Sequence, residues 1–187
     1  MNSKLTKTLI DIETLDKSFI IHIVYSTNDN FIGKKVYPTN KCVLLLETAK
    51  KLINANNNFK KLGYTLKILD AYRPLSVQKL MWNILPDDNF VAPPYRGSMH
   101  NRGCAVDVTL VDTNGYELEM PSAFDDFSEK AWITYDNCDK RLIKNRELLS
   151  TIMVQNGFKT IETEWWHFYD PENAAAPLLD ISFDTFK

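Results

Sequence analysis

Apolar residues recur along this chain with two periods, and the switches between them lay out its elements. "SFIIHIVYS" (18 to 26) is dominated by β-branched and aromatic residues and predicts a first strand, with "TNDNFIG" as a turn-rich loop after it. Thr39 or Asn40 is positioned to cap a helix through "VLLLETAKKLINAN", where Leu45, Ala49 and Leu52 repeat at i, i+4, i+7. "YTLKILDAYRP" predicts a strand ending at Pro74, because proline pushes its predecessor out of helical geometry. "SVQKLMWNI" then predicts a short helix stopped near Pro86, and "PDDNFVAPPYRGS" a loop.

"GCAVDVTLVD" predicts a strongly apolar strand, which the turn "TNG" joins to "YELEM" as an antiparallel hairpin. "CDKRLIKNRELLSTIMVQNG" predicts a helix with Leu142, Leu149 and Met153 on one face and Asn156-Gly157 as its stop. "FKTIETEWWHFYD" predicts a final strand. Helices and strands are mixed without regular βαβ alternation. The expected fold is therefore α+β, one domain over residues 1–187, with a central antiparallel sheet and flanking helices.

Composition narrows the function classes. The chain has 187 residues, 44% hydrophobic and 25% charged, as in a soluble globular protein. A formal charge of -2 with no basic block gives no electrostatic case for nucleic acid, and no apolar run reaches membrane-spanning length. The first 19 residues carry acidic groups that interrupt any signal-like apolar core. Cys42, Cys104 and Cys138 are odd in number and follow no ligand spacing, so a disulfide framework is not expected and a reducing cytoplasm is. Nothing in the chain sets an oligomeric state.

The chemistry concentrates in two segments, "SMHNRGCAVDVTL" (98 to 110) and "ETEWWHFYD" (162 to 170). Strand alternation puts Ala105, Asp107 and Thr109 on one face and Val106, Val108 and Leu110 on the other. Asp107 is then the only charge inside an apolar strand, a costly position unless the carboxylate is paired or binds metal. His100 precedes it by seven residues, and Gly103 permits a turn between them. With His167 they make two histidines and one carboxylate, the donor set of a zinc site that keeps a position for water.

Glu164 lies three residues before His167, and in a regular strand such a pair points to opposite faces. Glu164 is therefore expected in a turn or bulge at the strand's beginning, as a base rather than a ligand, with His167 on the pleat. Arg73 in "DAYRP" is the leading candidate to stabilise an oxyanion, with Arg96 and Arg102 as alternatives. Plainer readings stand beside these. Asp107 could be half of a buried ion pair with Arg73 or Arg102, and "EWWHF" could be aromatic core. His22 reads as an ordinary core or surface residue, and Cys104 as a small core residue facing away from Asp107.

"SMHNRGCAVDVTL" and "ETEWWHF" together resemble the SxHxxGxAxD and ExxH signatures of the zinc D-alanyl-D-alanine dipeptidases, the VanX type of the M15 peptidases (subfamily D). "YSTNDNFIGKKVY", "LDAYRP", "PSAFDDFSE" and "NRELLSTIMVQNGF" resemble further family segments, in family order over nearly the whole chain. The resemblance implies one zinc ion held by His100, Asp107 and His167, Glu164 as general base, and Arg73 on the developing oxyanion. It also implies that Ser98 and Asp125, which neighbours Asp126, hold the substrate ammonium. The family fold is a small α+β domain of the Hedgehog/DD-peptidase type. The implied reaction is hydrolysis of D-Ala-D-Ala, a small dipeptide, to two D-alanines. The alternatives are a D,D- or L,D-carboxypeptidase acting on peptidoglycan stem peptides, or a non-catalytic zinc-binding module of the same fold. Cys104 departs from the smaller or hydroxyl residue usual at its position.

Overall fold

The structure is a computed structural model and describes residues 8–186. In chain order it contains β1 (Leu9–Asp11), β2 (Ile20–Ile21), β3 (Val43–Leu45), α1 (Leu46–Lys60), β4 (Tyr64–Asp70), α2 (Leu75–Ile84), β5 (Ala105–Asp112), α3 (Lys140–Gln155), β6 (Lys159–Thr160) and β7 (His167–Tyr169). Five strands form the main sheet in the order β2-β4-β5-β7-β6, and β1 pairs with β3 in a separate two-stranded sheet. The fold class is α+β, as the mixed pattern implies. The main sheet is antiparallel from β4 to β6, but β2 joins its edge parallel to β4, with Ile20 opposite Lys67 and Ile21 opposite Ile68.

The first strand is shorter than its sequence suggests. Only Ile20–Ile21 pairs, and the chain then turns through Val24–Ser26. The Asn40 side chain stabilises this departure, accepting from the Ile23 amide at 2.7 Å and donating to the Ile21 carbonyl at 3.0 Å. Asn40 therefore caps no helix. α1 instead follows directly from β3, with Leu45 preceding its first turn. Its buried face, Thr48, Ala49, Leu52, Ala55, Asn56 and Phe59, has the expected helical spacing and packs on the core.

The "YELEM" hairpin reduces to one bridge, Val111 with Glu117, and two backbone bonds, Asp112 to Tyr116 and Leu118 to Leu110. Tyr116, Glu117 and Glu119 stay exposed while Leu118 and Met120 pack on the core, so the segment buries one side without forming a continuous paired strand. The final strand is likewise split. β6 and β7 pair with each other, Lys159 opposite Tyr169 and Thr160 opposite Phe168, and the intervening turn carries Glu164. α3 ends where expected, at Asn156 followed by Gly157 with φ 89°.

One row across the sheet positions the site. Asp70 on β4 lies opposite Asp107 on β5, which lies opposite His167 on β7. A register shift between Ile68 and Asp70 brings the two aspartates level. His100 comes up from a short 3-10 turn (His100–Arg102) that Gly103 closes at φ 67°. A Cβ at Gly103 would meet the Leu9 side chain, and the left-handed backbone alone costs other residues about 1–2 kcal/mol. Gly103→Ala is accordingly expected to lower stability by roughly 1–3 kcal/mol. Urea unfolding monitored by tryptophan fluorescence checks this, and an unchanged midpoint would contradict it.

Candidate active site

Three donor atoms meet where the row ends. His100 Nε2 lies 3.1 Å from His167 Nδ1 and 3.3 Å from Asp107 Oδ1, and the last two are 3.0 Å apart. All three residues are buried. The His100 ring is oriented by its other nitrogen, which donates to the Ala71 carbonyl at 2.6 Å and leaves Nε2 as a lone-pair donor. Tetrahedral zinc with bonds of about 2.0–2.1 Å has ligand atoms about 3.3 Å apart, so this triangle suits such an ion. His100, Asp107 and His167 are the group among the described residues that could hold a metal ion.

The electrostatics agree with a site built for a cation. Burial alone would raise the Asp107 carboxyl, but the neighbouring His100 and the His167 hydrogen bond hold it well below the usual carboxylate range. Burial alone would lower His100, yet Asp107 holds it above its ordinary value. Glu164 lies outside the triangle, its Oε2 3.8 Å from His167 Nδ1. Burial pushes its carboxyl up, with Asp107 and Asp125 adding to the effect. Its turn is pinned on the C-terminal side, where the Trp165 amide donates to Ala131 and the Trp166 carbonyl accepts from Val108.

Arg73 is buried beside this centre. Its Nη2 is 2.7 Å from Asp70 Oδ2, Nη1 donates to Gln78 Oε1 at 2.9 Å, and Nε donates to Tyr37 at 3.3 Å. The guanidinium also lies 5.4 Å from the Tyr25 ring centroid. Three of its five N–H groups are thus used within the protein, and two remain for a ligand. Asp107 pairs with the histidines rather than with Arg73, whose carboxylate partner is Asp70.

Arg73, Ser98, His100, Asp107, Asp125, Glu164 and His167 all line one cavity of about 320 Å³, at the small end of ligand sites. Ser98 Oγ is 3.2 Å from Asn101 Oδ1 and 3.4 Å from Gln78 Oε1. Asp125 adopts φ 58°, and both its carboxylate oxygens accept from the Tyr25 hydroxyl, at 3.0 and 3.1 Å. Asp126 instead accepts from the Ser128 amide. Arg96 pairs with Asp88 and Arg102 bonds the Ala176 carbonyl, both at the cavity's edge. His22 is exposed. Cys104 is buried with Leu45 and Ala176, away from the three donors.

Sequence reasoning missed Tyr25, Asp70, Gln78 and Asn101. Asp70 had a visible signal, a carboxylate three residues before Arg73 at the end of an apolar strand. Tyr25 had none, because it lies 100 residues from the aspartate it bonds.

A family model described as "D-ala-D-ala dipeptidase" matches residues 6–186. The chain is 35% identical over 181 residues to a D-alanyl-D-alanine dipeptidase of Escherichia coli (strain K12), covering 97% of this chain and 94% of that protein. It is 33% identical over 165 residues to a D-alanyl-D-alanine dipeptidase of Enterococcus faecalis, covering 77% of this chain and 82% of the relative. Among solved structures it is similar to a vancomycin-resistance D,D-pentapeptidase, VanY, in complex with Zn(II). That match has a TM-score of 0.43 and 15% identity, over 72% of this chain and 76% of that one.

Burial raises the Asp125 carboxyl to about 7. Without metal, the folded chain therefore keeps a proton that the unfolded chain releases near pH 4. The stability from this group is fully present below the ordinary carboxylate value and lost as pH rises through about 7. Asp125→Asn is expected to raise the melting temperature of the metal-free protein more at pH 8 than at pH 4. Thermal melts in a chelator check this, and equal increments at both pH values would sink it.

Proposed function

The chain belongs to the D-Ala-D-Ala dipeptidase family of the M15 peptidases, and on that premise we propose that it is a zinc dipeptidase hydrolysing D-Ala-D-Ala to two D-alanines. The observation that carries this reading is the triangle of His100, Asp107 and His167 with Glu164 and Arg73 around one small cavity. His100 Nε2, Asp107 Oδ1 and His167 Nδ1 would hold the zinc. When bound, zinc supplies an activated water at neutral pH and polarises the scissile carbonyl.

The chain's own groups supply the rest. Glu164 takes the proton from the attacking water at a carboxylate oxygen and passes it to the leaving amine. The raised affinity of Glu164 for a proton suits both halves of that transfer. Arg73, with two donors to spare and its plane fixed by Asp70, Gln78 and Tyr37, stabilises the carbonyl oxygen as it gains charge. Asp125, aimed into the cavity beside the Tyr25 hydroxyl, receives the substrate ammonium together with Ser98. A cavity of about 320 Å³ suits a dipeptide better than a stem peptide.

We also treat residues 1–187 as one domain, supported by one core cluster that runs from Ile12 to Phe183. Among the described residues no helix is long and apolar enough to cross a membrane. We place the chain in a reducing, cytoplasmic setting on the odd number and unpatterned spacing of Cys42, Cys104 and Cys138.

Purified protein is expected to contain one zinc per chain and to release D-alanine from D-Ala-D-Ala but not from a pentapeptide stem. Release from the pentapeptide alone would make it a carboxypeptidase, and zinc with no release from either would make it a binding module. Glu164→Ala is expected to keep its zinc and lose about 10²–10⁴ in kcat. Loss of the metal in that variant would mark Glu164 as a ligand instead.

A further inference from the structure

We propose that Gln78 is a positioning residue that sets the Arg73 guanidinium for the reaction, an inference resting on the dipeptidase reading above. Gln78 sits in the first turn of α2, five residues after Arg73, and helical side chains lean back towards the N-terminus. That direction carries its amide over the preceding arginine. The residue is fully buried. Its Oε1 accepts from Arg73 Nη1 at 2.9 Å and lies 3.4 Å from Ser98 Oγ, while Nε2 donates to the Ala92 carbonyl at 2.7 Å. Each of these side-chain hydrogen bonds joins the amide to a residue lining the cavity.

A helix side chain buried at this position needs no polarity to pack, and an apolar residue of the same size would avoid desolvating an amide. The amide is useful because of where its bonds lead. Asp70 and Tyr37 hold the Nη2 and Nε sides of the guanidinium, and Gln78 holds Nη1. Without Gln78 the guanidinium is held on its Nη2 and Nε sides only, and the two spare N–H groups lose their aim. The Ala92 bond fixes Gln78 in turn to the loop that forms another wall of the cavity. An error of aim matters most where charge develops, so kcat should respond more than substrate affinity.

The test uses the zinc-loaded enzyme with D-Ala-D-Ala, in the parent, Gln78→Met, Gln78→Glu, Arg73→Lys and Arg73→Lys combined with Gln78→Met. Gln78→Met keeps the volume and removes all three hydrogen bonds, of which the one to the guanidinium is the charge-assisted one. It should lower kcat roughly 10- to 100-fold, the effect of one hydrogen bond to a charged group, with KM changed less than about threefold and zinc content unchanged. Gln78→Glu keeps the acceptor for Nη1 while losing the donor to the Ala92 carbonyl, and should still be the more active of the two because the guanidinium contact survives. A purely structural role predicts the reverse order, since a buried carboxylate packs worse than methionine. In the Arg73→Lys background Gln78→Met should cost little further, because its effect passes through the guanidinium.

Parent-like kcat in Gln78→Met, Glu below Met in activity, or full additivity with Arg73→Lys would each overturn the proposal. If thermal melting shows Gln78→Met unfolded, Gln78→Glu decides alone: kcat within about tenfold of the parent supports the role, and a larger loss overturns it. A parent enzyme that does not cleave D-Ala-D-Ala would instead fail the functional reading itself, before any variant is compared.

Discussion

The structure around the cavity depends on one buried carboxylate. Asp107 is at the middle of the row that runs from Asp70 on β4 to His167 on β7, in a strand whose other residues from Ala105 to Val111 are buried and, but for Thr109, apolar. An ionised side chain in such a place is costly unless it is surrounded by positive charge or donors. His100 and His167 surround it and hold its carboxyl well below the usual carboxylate range, while Asp107 in turn raises His100. Strand register does the positioning. A shift of one residue in either pairing would turn Asp107 to the other face of the sheet and dissolve the triangle.

A second buried ion pair, Arg73 with Asp70, occupies the next strand of the same row. Its neighbours are polar but satisfied: Tyr37, Gln78 and, on the Arg73 carbonyl, the Asn101 amide at 2.8 Å. Asn101 also takes the Ser98 amide at 2.8 Å, so the segment before His100 is tied to the arginine's backbone. Connected networks of this kind are stiff, because a rotation of any member strands its partners without hydrogen bonds in a dry environment. The C-terminal segment secures the outside. The Leu75 amide donates to Leu179, Leu179 donates to Asn101, and the Tyr72 hydroxyl bonds Ile181. Catalytic geometry in this protein is therefore carried by the sheet and by short covalent neighbours of its strands, with the surrounding loops fastened onto them.

Part of this was visible in the residues alone, for a physical reason. Burial of a charge inside an apolar strand, a glycine before that strand, and a glutamate offset by three from a histidine are local facts. Their consequences, the need of Asp107 for charged or polar partners, the left-handed turn at Gly103 and the placement of Glu164 in a turn, follow from sterics and strand alternation over a few residues. α3 and its stop were legible on the same grounds, since helix periodicity and an Asn-Gly terminus need no distant partner.

What only the tertiary structure decided was the choice of partners. Periodicity reports which face a segment buries but not what it is buried against. It could not say that β2 would run parallel at the edge, that Val43–Leu45 would pair with Leu9–Asp11 before α1 begins, or that "YELEM" would pair through a single bridge. Nor could it join Arg73 to Asp70 and Gln78 rather than to Asp107, or bring Tyr25 to Asp125 across 100 residues. The donor set was written in the chain because its chemistry is local. The belt that aims Arg73 emerged only when long-range packing chose which polar groups would share the interior.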